Sequence, residues 1–102
     1  MHAVLRINSF DPAKLAGAGE ALREFDALHA AQPGFLGTVT VDLGDGRHFV
    51  MNLWRSAEDA QAGLSVLGPA VGRLIAPLLA SPSELIGTGT VIRSDLAPDE
   101  GH

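Results

Sequence analysis

The sequence contains no cysteine and no tyrosine among its 102 residues. Without cysteine the chain forms no disulfide, offers no thiolate nucleophile and holds no cysteine-ligated metal. Without tyrosine it has no phenolic acid or base. The four histidines lie at positions 2, 29, 48 and 102, and no two of them have the spacing that places a pair on one helix face. We therefore predict no metal site.

Basic residues are also few. Seven Lys and Arg stand against twelve Asp and Glu, which gives a formal net charge of −5. The basic residues are scattered singly, so there is no basic stripe to neutralise phosphates, and nucleic acid is not expected as a partner. No apolar run approaches the ~20 residues of a membrane span, and the first residues do not form a signal peptide. We expect a cytoplasmic protein that does not bind membranes.

What the chain does have is apolar residues, which make up 46% of the total against 19% charged residues. This balance is typical of a folded domain rather than a disordered chain. A chain of this length buries roughly 65% of its unfolded surface and forms one core. Residues 1–102 are therefore predicted to be a single domain, with an acidic tail at residues 95–102 that is expected to be frayed.

Local patterns in the first third of the chain predict a strand followed by a helix. Residues 3–9 alternate between two faces with the period of a strand. Asp11 and Pro12 are suited to begin a helix that must end before Pro33. His29, near the end of this helix, is expected to face solvent. The apolar face predicted for burial consists of Leu15, Leu22, Phe25 and Leu28.

The middle of the chain predicts a hairpin. Residues 35–43 and 48–54 have the alternation and the β-branched content of strands, and Gly44, Asp45 and Gly46 supply a tight turn between them. The two strands are therefore predicted to pair antiparallel.

A second helix and a last strand complete the pattern. Ser56 is predicted to cap the helix, and Pro69 to kink it or divide it into two short helices in register. Residues 85–92 contain Gly87 and Gly89 and predict an edge strand with a bulge. The apolar face of the helix consists of Leu64, Leu67, Val71, Leu74, Ile75 and Leu78.

The order β-α-β-β-α-β predicts an α+β fold, the ferredoxin-like arrangement with an antiparallel four-stranded sheet in spatial order 4-1-3-2. Both helices then lie on one face of the sheet. The two central strands carry large apolar side chains on both faces, and the helices can cover only one of them. An uncovered apolar face of several hundred Å² is larger than a monomer usually exposes, so we expect a homodimer in which a second sheet covers it.

Candidate site residues alternate along the two central strands. If one face of the first strand coincides with one face of the third, a few polar groups converge between apolar walls, as in small-molecule pockets. Leu67 and Val71, on the second helix, are predicted to complete the pocket. The alternative is that each of these residues has an ordinary core or surface role. The strand residues are Arg6, Asn8, His48, Val50, Asn52 and Trp54.

Two short segments carry a family resemblance. The run Pro-Gly-Phe-Leu-Gly at residues 33–37 precedes the hairpin, and the run Leu-Trp-Arg-Ser-Ala-Glu-Asp-Ala at residues 53–60 joins a strand-ending Trp to a capped helix. In these segments and in element order the chain resembles the antibiotic biosynthesis monooxygenase family of dimeric α/β barrels. The resemblance implies a homodimer that binds a small apolar or aromatic molecule.

Some members of that family oxygenate aromatic polyketides or quinols without metal or flavin, and the resemblance therefore implies an oxidoreductase with no cofactor. The substrate loses a proton, its anion passes an electron to O₂, and the two radicals combine at carbon. In this scheme His48 is the candidate base, Asn52, Asn8 and Arg6 are candidate donors to the substrate anion, and Trp54 forms a wall with Val50.

The chain departs from this pattern in one position. Relatives that oxidise polyketides place Asn four residues before the Trp, where this chain has Val50. Haem-degrading relatives need a His on the second helix, and residues 57–80 contain none. Two alternatives to a monooxygenase stay open. The first is a ligand-binding protein or polyketide cyclase that uses the same pocket. The second is a dimeric protein without catalysis.

Overall fold

A computed structural model describes residues 1–95 of the chain. Four strands form one antiparallel sheet, in the spatial order β2-β3-β1-β4. The strands are β1 (His2–Ser9), β2 (Phe35–Gly44), β3 (Arg47–Trp54) and β4 (Glu84–Thr90). The helices are α1 (Pro12–Ala16), α2 (Gly19–Ala30) and α3 (Ala57–Ala70). The predicted ferredoxin-like α+β fold and its strand order are confirmed.

The turn between β2 and β3 has the geometry that its residues favour. Gly44, Asp45 and Gly46 all have positive φ, at 90°, 55° and 81°. Glycine adopts this region without steric cost, and Asp tolerates it better than most residues. The side chain of Asp42 accepts a hydrogen bond from the backbone N–H of Gly44 at 2.8 Å, which closes the turn.

The first helical segment differs from its prediction, because it is two helices and not one. Asp11 caps α1 by accepting hydrogen bonds from the backbone N–H groups of Ala13 and Lys14. The helix ends at Ala16, and α2 begins again at Gly19. A helical glycine costs about 0.5–1 kcal/mol relative to alanine, and two glycines within three residues are enough to interrupt so short an element.

The second helical segment continues beyond its proline without ending there. Pro69 lies inside α3, and the irregular backbone comes after it, as a π-helical turn (Val71–Ile75) and a 3-10 turn (Ala76–Leu78). The apolar phase continues across this region, since Leu74 and Ile75 are buried. Leu64 and Leu28, both predicted to be buried, are exposed, so the helix faces that point inward are narrower than expected.

The core lies between the helices and one face of the sheet. One cluster joins Val4 and Trp54 of the sheet to Ala60 and Leu67 of α3. A second cluster contains Phe10, Ala70, Leu74 and Ile75. Trp54 is 0% exposed, and its ring packs against the backbone at Gly63.

The other face of the sheet is apolar and has no helix over it within residues 1–95. Pairing of β1 with β3 sets Leu5 opposite Met51 and Ile7 opposite Phe49 on this face. Across β3, the same face continues to Val39 and Val41, which are 39% and 44% exposed. We call Leu5, Ile7, Val39, Val41, Phe49, Met51 and Leu53 the open face.

The edge strand β4 pairs with β1 and has the predicted irregularity. Its register shifts opposite Leu5 and Arg6, where Gly87 and Leu85 are their partners. The strand ends at Thr90, two residues earlier than expected.

Most of the tail predicted to be frayed, residues 96–102, lies outside the described residues. No helix in the described part of the chain is long and apolar enough to cross a membrane.

We expect Gly63→Ala to destabilise the fold by about 1–3 kcal/mol, the usual cost of overpacking a core. A Cβ at Gly63 would lie closer than 3.0 Å to the Trp54 ring, which is held on all sides. Urea unfolding measures the change. Gly72→Ala is the matched control, because a Cβ there meets nothing within 4 Å. Equal stability of the two variants would contradict the tight contact.

Candidate functional site

The predicted faces of the two central strands coincide. Arg6 pairs with Val50, and Asn8 pairs with His48. Asn52 pairs with Val4, which is buried beneath α3. All the strand residues of the predicted site therefore lie on the face that the helices cover, opposite to the open face.

Arg6 and Asn8 belong to one hydrogen-bond chain at an end of the sheet. The hydroxyl of Ser83 donates to Oδ1 of Asn8 at 2.5 Å. Nη1 of Arg6 donates to the same hydroxyl at 3.3 Å. Ser83 directly precedes β4, so this chain ties the start of the edge strand to β1.

The structure places the predicted base and the predicted wall far apart. His48 and Trp54 are six residues apart on β3, which corresponds to about 20 Å at the rise of a strand. The His48 ring lies 5.1 Å from the ring of Phe10, whereas Trp54 lies at the other end of the strand. Leu67 is fully buried against Trp54, and Val71 packs on the second core cluster.

A partly open cavity of about 380 Å³ lies between α2 and β2. It is lined by Asp26, His29, Phe35, Thr38 and Thr40. None of the eight predicted site residues is among the lining residues, and their roles stay predictions.

Two predicted residues, Val50 and Asn52, lie next to this cavity. Thr38 and Thr40 pair with Asn52 and Val50, so the floor of the cavity continues onto the predicted face of β3. The hydroxyl of Thr38 donates to Oδ1 of Asn52 at 2.6 Å. This bond leaves the amide nitrogen of Asn52 as a donor that makes no hydrogen bond within residues 1–95.

His29 was expected to face solvent, and this expectation was wrong. The residue is 7% exposed, and its ring packs among three aromatic rings. The ring centroid of His29 lies 4.4 Å from that of Phe35, 5.4 Å from that of Phe25 and 5.6 Å from that of Trp54. We call these four residues the aromatic cluster. A signal was present in the sequence, because His29 follows Phe25 by four residues and so shares its helix face.

Two polar ring atoms in the aromatic cluster have no partner among residues 1–95. Nε2 of His29 and Nε1 of Trp54 are buried and make no hydrogen bond to this part of the chain. A buried polar group without a partner costs about 1–3 kcal/mol. Burial lowers the pKa of His29, and the negative charge of Asp26 opposes that effect by raising it. Burial therefore favours the neutral form of the imidazole, which lies at the edge of the cavity.

Within residues 1–95, no three His, Cys, Asp or Glu side chains lie close enough together to hold a metal ion. The polar groups at the cavity are instead one carboxylate, one imidazole and two hydroxyls.

No protein-family model matches this chain, and no curated protein matches it. Solved structures do match it over nearly its whole length. A protein of unknown function from Nitrosomonas europaea, NE2512, superposes with a TM-score of 0.75 at 19% identity, covering 95% of this chain and 94% of its own. A variant of SnoaB, a cofactor-independent oxygenase from Streptomyces nogalater, gives 0.71 at 18% identity, with 91% and 94% covered.

A third similar structure is a candidate antibiotic biosynthesis monooxygenase from Nitrosomonas europaea, with a TM-score of 0.73 at 16% identity, covering 91% of this chain and 100% of its own. This chain has the fold of these proteins. The resemblance read from residues 33–37 and 53–60 is thereby confirmed at the level of the fold.

The burial of His29 makes the free energy of unfolding depend on pH. Because its pKa is lower in the folded chain than its ordinary value of 6.5, the unfolded chain binds more protons as the pH falls. The stability that the neutral ring contributes is complete above 6.5 and is lost as the pH falls toward the folded-state pKa. We expect His29→Gln to remove this part of the pH dependence, measured by urea unfolding from about pH 8 to 5.

Asp26→Asn is a second variant that tests the same titration. The Asp26 charge raises the pKa of His29, so its removal lowers that pKa further, and the loss of stability below the ordinary value of 6.5 becomes larger and extends to lower pH. A pH profile identical in wild type and His29→Gln would show that His29 is not buried in solution.

Proposed function

We propose that this protein is a cofactor-independent monooxygenase that acts on an aromatic polyketide-like or quinol-like small molecule. The observation that carries the proposal is the cavity between α2 and β2, which combines an aromatic wall, a neutral imidazole and hydrogen-bonding groups. Its fold is shared with SnoaB, whose name describes a cofactor-independent oxygenase. A cavity of about 380 Å³ is within the range of small-molecule sites.

The aromatic wall favours a planar ligand. Phe35 lines the cavity and stacks on His29 with an interplanar angle of 32°. Aromatic rings at such distances favour offset stacking with a further ring. A planar, hydroxylated ring system can therefore lie against Phe35 while its polar edge meets the hydroxyls of Thr38 and Thr40.

The reaction needs little from the protein beyond binding and charge stabilisation. The bound substrate loses a proton, and its anion gives one electron to O₂. The substrate radical and superoxide then combine at carbon, and the peroxide anion takes back the proton to form a hydroperoxide. Where the attacked carbon is a CH₂ group, as in an anthrone, loss of water converts it to C=O, so one oxygen atom enters the product and the other leaves as water.

Asn52 is suited to stabilise the substrate anion in this scheme. Its carbonyl oxygen is held by Thr38, which fixes the amide and leaves the N–H donors free to face a ligand. Donors fixed before the reaction stabilise developing negative charge more than mobile water does. Arg6 and Asn8 lie on the same face and remain candidate donors for a ligand that extends toward β1.

We also propose that a second copy of the chain covers the open face. The residues of the open face are contiguous across three strands. Single exposed apolar residues are common on monomers, but a contiguous apolar patch is typical of an interface. Packing two such sheets face to face buries both patches at a spacing of about 10 Å.

The catalytic proposal predicts oxygen uptake when metal-free protein is mixed with hydroxylated naphthalenes or anthrones in the presence of EDTA. Asn52→Leu keeps the side-chain volume and removes the donor, so we expect the rate to fall about 100-fold, as for loss of one oxyanion donor. Ile92→Thr, at an exposed residue remote from the cavity, is the control and should retain the rate.

The result can also distinguish the alternatives. Calorimetric binding of the same compounds without oxygen uptake would replace the monooxygenase by a ligand-binding protein or a cyclase. Absence of both binding and uptake would leave a dimeric protein without catalysis.

The dimer proposal predicts that the wild-type chain sediments at micromolar concentration with twice the 10.6 kDa of one chain. Met51→Lys places a charge at the centre of the open face, and we expect it to give single subunits because an unpaired charge cannot be buried there. Leu64→Lys, at an exposed apolar residue of α3, is the matched control and should remain dimeric. A wild-type chain that sediments as one subunit would refute the proposal.

A further inference from the structure

The strongest unexplained feature of the molecule is the imidazole of His29. Its side chain lines the cavity, yet the residue is more than nine-tenths buried. Nε2 has no hydrogen-bond partner, and Nδ1 makes no hydrogen bond within residues 1–95 either. Native proteins rarely bury a polar ring without partners, and such a group calls for a functional explanation.

We infer that His29 accepts the proton of an ionisable hydroxyl on a planar phenol or enol bound in the α2–β2 cavity. The inference rests on the proposed function and deepens it, since it names the base and the group on the substrate that the base recognises. It assigns the proton transfer to a residue of the cavity wall, whereas His48 does not line this cavity.

The protonation state of the ring fits this role. A neutral imidazole carries one N–H donor and one acceptor nitrogen, whichever tautomer is present. Burial keeps His29 neutral by lowering its pKa, so an acceptor is available in ordinary neutral buffer. Nε2 is buried and Nδ1 is not, so Nδ1 is the nitrogen that a ligand in the cavity can reach. A hydroxyl that donates to Nδ1 supplies a partner that residues 1–95 do not.

A neighbouring charge partly offsets the effect of burial on the protonated ring. Asp26 lies one helical turn before His29 on α2 and lines the same cavity. Its negative charge favours the imidazolium that forms when His29 takes the proton. Of the side chains that line the cavity or stack on His29, Asp26 is the one that carries a charge, and the facing residues Phe35, Thr38 and Trp54 are neutral.

The proton balance is simple. The O–H bond of the ligand breaks, its electron pair stays on oxygen, and the proton forms an N–H bond to the ring of His29. The resulting phenolate or enolate is the electron donor that the oxygenation requires. Its negative oxygen and the imidazolium form an ion pair, which strengthens their hydrogen bond.

The experiment compares 1-naphthol with 1-methoxynaphthalene, which has the same ring system and no hydroxyl proton. Calorimetry measures the affinity of both for wild type, His29→Phe, His29→Gln and His48→Phe. We expect wild type to bind 1-naphthol about tenfold more tightly than the ether, because the ether leaves the imidazole without a donor. Because burial lowers the pKa of His29, only a fraction of the bound 1-naphthol should transfer its proton, and the absorption of 1-naphtholate should exceed that of the free ligand at the same pH.

His29→Phe keeps an aromatic ring in the cluster and should bind both compounds equally, with no naphtholate absorption. His29→Gln retains an acceptor and should restore part of the preference without the absorption change, because an amide does not take the proton. If His29→Phe fails to fold, His29→Gln still tests the inference.

Three outcomes would overturn the inference. If His29→Phe and His29→Gln both keep the preference and the naphtholate signal, His29 is not the acceptor, and the proposed function stands without it. If His48→Phe removes the preference while the His29 variants keep it, the base is His48. If wild type binds neither compound, the proposed function fails and this inference fails with it.

Discussion

The sheet of this protein carries large apolar side chains on both faces, and its helices can cover only one face. Along β1 and β3, apolar side chains alternate between a face that packs on α3 and the open face, which no helix of residues 1–95 covers. Apolar area exposed to water costs about 25 cal/mol per Å², so each face requires a cover. The helix-covered face holds the core and the cavity, and the other face accounts for the proposed second copy.

The helices do not pack equally closely along the whole of the face that they cover. Trp54 and Leu67 pack without residual exposure where α3 crosses β1 and β3. Helix α2 contacts the edge strand β2 at Phe35, but beside Thr38 and Thr40 a space remains between α2 and β2, which is the cavity. The wall of that cavity is the outer side of the aromatic cluster, so a ligand there contacts rings that the core already holds in place. Such a site is formed before binding and needs little ordering when a ligand arrives.

Much of the fold could be predicted from local residue patterns. The period of two on the strands, the caps at Asp11 and Ser56 and the turn at Gly44–Gly46 depend on neighbours in sequence, and the structure has each of them where it was expected. Errors occurred where the outcome depends on packing. Leu28 and Leu64 have the spacing of buried residues, but helix rotation against the sheet leaves both outside the core.

The candidate site was harder to predict for the same reason. The alternation on β1 and β3 correctly grouped Arg6, Asn8 and Asn52 on one face, because side-chain direction in a strand follows from parity alone. The alternation along a strand does not determine how much of that face a helix covers. The cavity therefore lies beside β2, and its lining includes His29, whose burial depends on contacts with β2 and β3.

The sequence by itself determined the element order, the strand faces and the excess of apolar surface, since all three follow from residue spacing and composition. Only the tertiary structure decided which side chains line the cavity and which pack in the core. This depends on the distance between α2 and β2, which is set by the volumes of residues far apart in the chain. It buried His29 among aromatic rings, whereas a position near the end of a helix had suggested contact with water.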